Sequence, residues 1–191
     1  MKLRHLTLAL ALTAGVAACS PKSDEGAQGA PAADAGGPVT VTIHAITAEG
    51  VGEAIGTIAL SDTAGGLQLV PDLHNLPPGP HGFHVHQNGS CDPGEKDGQN
   101  VAGLAAGGHY DPDNTGKHEG PDGNGHKGDL PLLMVAQNGD ASLTMVAPHL
   151  KVADVLGRAI MIHDGGDNYS DDPKPLGGGG ARIACGVVPK S

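Results

Sequence analysis

Six histidines and one aspartate of the kind that bind metal ions lie in three short stretches of this sequence. The longest, Gly107 to Leu130 (GGHYDPDNTGKHEGPDGNGHKGDL), carries His109, His118, His126 and Asp129. Three imidazoles and a carboxylate suit a tetrahedral Zn²⁺, which takes nitrogen and oxygen ligands and can itself order a loop. Upstream, His84 and His86 stand two apart in GFHVHQ; downstream, His163 stands in IMIHDGGDN. On a strand, that spacing puts both rings on one face while Phe83 and Val85 point the other way, into a core. A His-x-His pair on a rigid strand is a good two-nitrogen start for copper, and His163 can add a third imidazole. Read alone, each of these histidines is more simply a polar surface residue; the set of them points to metal. Six histidines for two ions leave room for one shared imidazolate, joining a three-nitrogen-plus-oxygen zinc site to a four-nitrogen copper site.

Such side chains need a rigid frame, and the rest of the chain supplies strands. Val39 to Ile46 alternates with period two, as a half-buried strand should. Ala54–Leu60, Leu67–Leu73, Gly82–His86, Leu132–Ala136, Ser142–Val146, Ala159–His163 and Arg182–Val188 are further short candidates separated by Gly, Pro and Asp turns. Asn138-Gly139-Asp140 between two of them is a hairpin signal. The pattern predicts an all-β chain of about eight antiparallel strands, a sandwich or flattened barrel, with no amphipathic helix and no internal repeat. Gly107 to Leu130 is too rich in Gly, Pro, Asn and Asp for helix or strand and reads as a long ordered loop.

Composition agrees and narrows the partners. Gly 32, Pro 15 and 2 % aromatics fit a turn-rich β protein, and a core without Trp and with a single Phe must be built of Val, Leu, Ile and Ala. A formal charge of −10 without a basic stripe argues against nucleic acid. An anionic substrate would need local positive charge to overcome that field. Residues 1–18 read as a secretory leader: Lys2 and Arg4, then an apolar run too short to span a bilayer. The small residues before Cys19 resemble a bacterial lipoprotein signal, in which cleavage leaves Cys19 as the lipid-modified N-terminus; an ordinary signal-peptidase site is the alternative. Residues 19–38 form a tether poor in large apolar side chains, and the folded domain spans 39–191. An exported domain of this kind is expected in the periplasm, membrane-bound through its lipid anchor alone, where disulfides are permitted.

Taken together, GFHVH, GGHYDP…GKHEGP…GHKGDL, IHDGGDN and GGGGARIACGVV resemble a copper/zinc superoxide dismutase of the bacterial, exported type. The resemblance covers nearly all of 39–190 and implies a Greek-key barrel of eight strands with long metal loops. It implies copper on His84, His86, His109 and His163, zinc on His109, His118, His126 and Asp129, and His109 as the bridge. It implies that Asp167 hydrogen-bonds one copper ligand and one zinc ligand, and that Cys91 and Cys185 form a disulfide; two cysteines beyond Cys19 independently make a closed pair. Arg182 matches the arginine that draws superoxide toward copper, and His109 the residue that takes up and returns a proton. Superoxide is then the substrate, copper and zinc the cofactors, and a homodimer one possible assembly, since the family includes both monomers and dimers. His81 is expected to be structural, and His44, His74 and His149 to lie on the surface. Lys96, in an expanded segment between His86 and His109, is a weak candidate for guiding the substrate. Two other readings compete. A non-catalytic metal carrier needs neither Arg182 nor a bridging His109, and a cupin-type enzyme would want a Glu shortly after His86, which Gln87 to Asp92 lacks.

Overall fold

In the computed structural model, which describes residues 37–190, the first alternating segment forms strand β1 (Val39–Thr47). Val41 and Ile43 are buried while Thr40 and Thr42 are exposed, as a sheet covered on one face requires. The leader 1–18, Cys19 and the tether as far as residue 36 lie outside the described residues. β1 pairs with β2 (Gly50–Thr63), and β2 with β3 (Gly66–Leu73). There follow β4 (Gly79–His81), β5 (Phe83–His86), β6 (Gly94–Lys96), β7 (Gln99–Val101), β8 (Leu133–Val135), β9 (Met145–Ala147), β10 (Ala159–His163) and β11 (Arg182–Val187). Every pairing between these strands is antiparallel.

Seven strands make one sheet in the order β5-β10-β11-β1-β2-β3-β9, and β4 with β8 makes a second. The inward faces close on Val41, Ile43, Ile58, Leu60, Phe83 and Leu133, none more than 1 % exposed, so the core is aliphatic around one phenyl ring. The all-β antiparallel reading holds, and each of the eight expected strands has a counterpart, although Ser142–Val146 is strand only over its last two residues, where β9 begins at Met145. Three short strands are additional. Two of the three residues of β4 are Gly and Pro, and β6 and β7 form an exposed hairpin with no buried face to impose alternation. β2 extends well beyond Ala54–Leu60 because its first residues pair with β1 and its last with β3, which overrides the weak strand preference of the Gly, Glu and Asp residues there. A helix α1 (Val152–Val155) of a single turn is too short to leave a periodic signal.

A second, smaller core joins the sheet to the expanded segment after β5. It consists of Ile46, Cys91, Ala106, Ala159, Met161 and Cys185. Cys91 and Cys185 are disulfide-bonded, with Cα atoms 5.7 Å apart. The bridge closes a sequence separation of 94 residues. Replacing both cysteines by alanine is therefore expected to lower stability by about 4–5 kcal/mol, the chain-entropy value for so long a loop. Urea midpoints of the two proteins, at equal slope, measure it.

Candidate metal centre

Strand β5 ends the large sheet, and its outer edge is covered by both ends of the histidine-rich loop. Tyr110 N–H donates to the Val85 carbonyl, and Val85 N–H to the Gly128 carbonyl, each at 2.8 Å. Gln87 N–H donates to the Gly108 carbonyl at 3.0 Å and Leu130 N–H to the Phe83 carbonyl at 3.2 Å. His86 thus lies opposite His109, and His84 opposite Asp129. Gly128 must be glycine, because a Cβ there would run into the Val85 carbonyl. On its outer side the loop is braced by Arg158, whose guanidinium stands 3.7 Å from the centre of the Tyr110 ring and donates to the Asp154 and Gln87 carbonyls.

His84, His86, His109, His118, Asp129 and His163 are all buried, on the face of β5 opposite Phe83 and Val85. Each imidazole has one nitrogen engaged or nearly so, which leaves the other to point inward. His84 Nε2 and His118 Nε2 each lie 2.7 Å from one oxygen of Asp167. His86 Nδ1 donates to the Gly107 carbonyl at 2.9 Å, and His163 Nδ1 lies 3.5 Å from that of Gly180. His84 Nδ1, His86 Nε2, His118 Nδ1, His126 Nδ1, His163 Nε2 and Asp129 Oδ2 remain buried without a hydrogen-bond partner. His118 Nδ1 and Asp129 Oδ2 stand 2.9 Å apart but lack hydrogen-bond alignment, as two atoms aimed at a common third point would. Unpartnered buried polar atoms are costly, and this convergence fits metal ions better than any protein donor.

His109 sits between the two halves. Its ring stacks on His84 at 3.9 Å and meets those of His86, His118 and His126 at 5.2, 5.4 and 5.3 Å. Ligand atoms of His84, His86, His109 and His163 lie within 4.8 Å of one another, and so do those of His84, His109, His118 and Asp129. The second group differs from the expected zinc set: His84, stacked on His109, falls within it, and His126 stands at its edge, 3.6 Å from Asp129 Oδ1.

The protein's own groups set the charge of these rings. Burial pushes His109 down to about 4 and His163 to about 2, and drives His84 and His86 down as well, so all four are neutral lone-pair donors near pH 7. At His118 burial opposes the charged form, but the Asp129 and Asp167 carboxylates outweigh it and lift the ring to about 9. Burial would raise both carboxyls, yet their histidine partners hold Asp129 and Asp167 well below the usual carboxylate range.

Arg182, His86, His109, His163, Pro175 and Leu176 line a cavity of about 180 Å³ over the first group. The guanidinium donates to the Gly103 and Gly107 carbonyls, so the carbonyl that orients His86 also holds Arg182. Gly103 has φ 60°, and a Cβ there would press on Ile46, Met161 and the Arg182 stem. These carbonyls were invisible to sequence reasoning because they belong to glycines without side-chain chemistry. His81 braces the backbone, its ring nitrogens 2.7 Å from the His163 and Pro77 carbonyls. His74 and His149 are exposed, whereas His44 is half-buried at the edge of the β1 bulge; Lys96 is exposed on the β6–β7 hairpin.

Comparison with known proteins decides the family. The pattern described as copper/zinc superoxide dismutase (SODC) matches residues 54–188. The chain belongs to the copper/zinc superoxide dismutase family. Cu-Zn superoxide dismutase 2 of Salmonella typhimurium is 60 % identical over 149 residues, 78 % of this chain and 86 % of that protein. The solved Brucella abortus enzyme superposes with a TM-score of 0.78 at 55 % identity, over 79 % of this chain and 99 % of that one. The solution structure of the monomeric Salmonella enterica enzyme gives 0.72 at 58 % identity, with the same coverage of each. This dismutase converts two superoxide anions to oxygen and hydrogen peroxide, with copper and zinc as its cofactors.

Proposed function

We propose that the two metals share His109: copper would be held by His84, His86, His163 and His109, zinc by His118, His126, Asp129 and His109, where buried ligand atoms of the other six residues lack a partner. The observation that carries this reading is that the other nitrogen of His84, His86, His118 and His163 is turned outward to a carbonyl or to Asp167, which fixes tautomer and ring angle. Strands β5 and β10 hold three of the copper-side rings, while the loop holds the zinc side, so zinc would order the loop on the sheet's edge. Bound copper supplies one-electron redox chemistry; every other task falls to side chains. Arg182 attracts the anion into the cavity and orients it by charge and by its donors. His109, which lines the cavity, would take up a proton and pass it to the departing product. Pro175, Leu176 and Gly179 form another part of the cavity wall beside these rings.

Metal analysis together with a superoxide-dismutation assay on the mature domain tests the whole reading. Asp129→Ala removes the sole anionic ligand and should weaken zinc by more than the about 10- to 100-fold typical of outer-sphere losses, with copper far less affected. Chelator competition measures both, and copper loss with zinc intact would mean that the sites are reversed.

The reading includes export, with residues 1–18 removed, Cys19 lipidated and 19–38 spacing the domain from a periplasmic membrane face. Its support is the leader pattern and the disulfide, which needs oxidising surroundings. Native protein should partition into membranes, and Cys19→Ala should stop lipoprotein maturation. A normally processed mutant with wild-type distribution would remove the anchor.

A further inference from the structure

The segment between β10 and β11 is folded around two carboxylates, and Asp167 accounts for only one. Asp171 touches no ligand side chain, yet it spans two functional pieces of backbone. Its Oδ2 accepts from the His118 N–H at 2.9 Å, and its Oδ1 from the Leu176 N–H at 3.0 Å. Leu176 is no ordinary loop residue. Its φ is 55°, in the left-handed region that favours glycine, although its side chain is large, apolar and 42 % exposed. Such a conformation persists where neighbours over-determine it, commonly beside a functional site. Here Leu176 lines the cavity over His86, His109 and His163, across from Arg182. Its N–H is fixed by Asp171, and its carbonyl accepts from Gly179 at 3.3 Å. Next to it, Gly177 (φ 68°) lies against the Asp167–His118 hydrogen bond, leaving no room for a Cβ.

We propose that Asp171 is a positioning residue for the substrate channel, one carboxylate that ties the His118 backbone to Leu176, so that filling the zinc site fixes the apolar lip over the copper-side rings. An ionised carboxylate suits this task because it offers two acceptor oxygens and no donor; an amide offers one. Asp167 reaches His118 through its ring and Asp171 through its backbone, so the two struts hold the same residue from opposite ends. The consequence is directional: an ion that immobilises His118 stiffens Leu176 without touching it. The inference rests on the assignment of His118 to zinc.

The test is amide hydrogen exchange followed by NMR on the full chain, with one equivalent of a zinc salt as the probe. In the wild type, zinc should slow exchange of the Leu176 N–H by about tenfold, the scale of one hydrogen bond to a charged acceptor. In Asp171→Ala, the same addition should shift the His118 ring signals but change Leu176 exchange by less than about twofold. Asp171→Asn, with one acceptor left, should fall between the two. Zinc-dependent slowing at Leu176 that survives in Asp171→Ala would overturn the proposal. If Asp171→Ala takes up no zinc, Asp171→Asn decides: wild-type slowing there rejects the strut, and reduced slowing supports it. A wild type whose His118 ring ignores zinc would instead sink the ligand assignment.

Discussion

Replacing Arg182 by alanine is expected to lower superoxide turnover by about 10- to 100-fold, the scale of electrostatic steering and focusing, while both metals stay bound. Metal retention follows from the shared carbonyl. Gly107 still accepts from His86 Nδ1 when the guanidinium is gone, so the copper-side ring keeps its tautomer and aim. The loss should be electrostatic in kind. Among the described residues lining the cavity, Arg182 is the permanent cation, on a chain of formal charge −10. Wild-type turnover should therefore fall with added salt, as screening shortens the reach of charge to about 10 Å at 0.1 M. The mutant's salt dependence should be flat or reversed. Arg182→Lys should be intermediate: it restores a charge, but one ammonium lacks the planar fork that satisfies the Gly103 and Gly107 carbonyls together. Pulse-radiolysis rates at several salt concentrations, on fully loaded protein, measure this. Equal rates and equal salt slopes in wild type and alanine variant would remove Arg182 from the mechanism.

Asp167→Ala should weaken zinc binding by about 10- to 100-fold, the usual cost of losing the partner that orients a ligand. The asymmetry between the metals has a structural cause. Asp167 is buried, and its oxygens hold His84 and His118 at 2.7 Å each. His84 is also fixed by strand β5, which is paired to β10, so its ring has a second reason to stay. His118 lies in the loop and depends on the carboxylate. Asp167→Asn should be nearly as damaging, because its amide can accept from one ring and must present N–H to the other. Competition with a zinc chelator at fixed pH reads the affinity. A greater loss of copper than of zinc would show that the sheet does not steady His84 as its pairing implies.

Most of the frame was legible because burial imposed it. Val41, Ile43, Phe83 and Val85 alternate with their neighbours for the same reason that they are buried, and β10 was located to the residue. The metal-binding side chains were legible because Zn²⁺ and copper chemistry restricts ligands to a few residue types at close spacing. What escaped was backbone chemistry. The carbonyls of Gly103, Gly107 and Gly180 orient Arg182, His86 and His163, and nothing in a glycine's identity announces an acceptor. Asp171 was one carboxylate among several in a polar loop, and its partners are N–H groups that every residue but proline carries. The position of His126 at the edge of its group likewise depends on loop geometry that spacing does not encode.

The bond between Cys91 and Cys185 has a consequence beyond stability. Cys185 lies on the strand that carries Arg182, and Cys91 on the segment whose carbonyls grip the guanidinium. Where the surroundings keep the two as thiols, the copper-side rings should retain their strands while the grip on the arginine should loosen. Metal content and turnover should then part company, leaving a chain that is loaded yet slow. The oxidising power of a compartment, which decides whether the cross-link forms, should in this way bear on turnover as well as on stability.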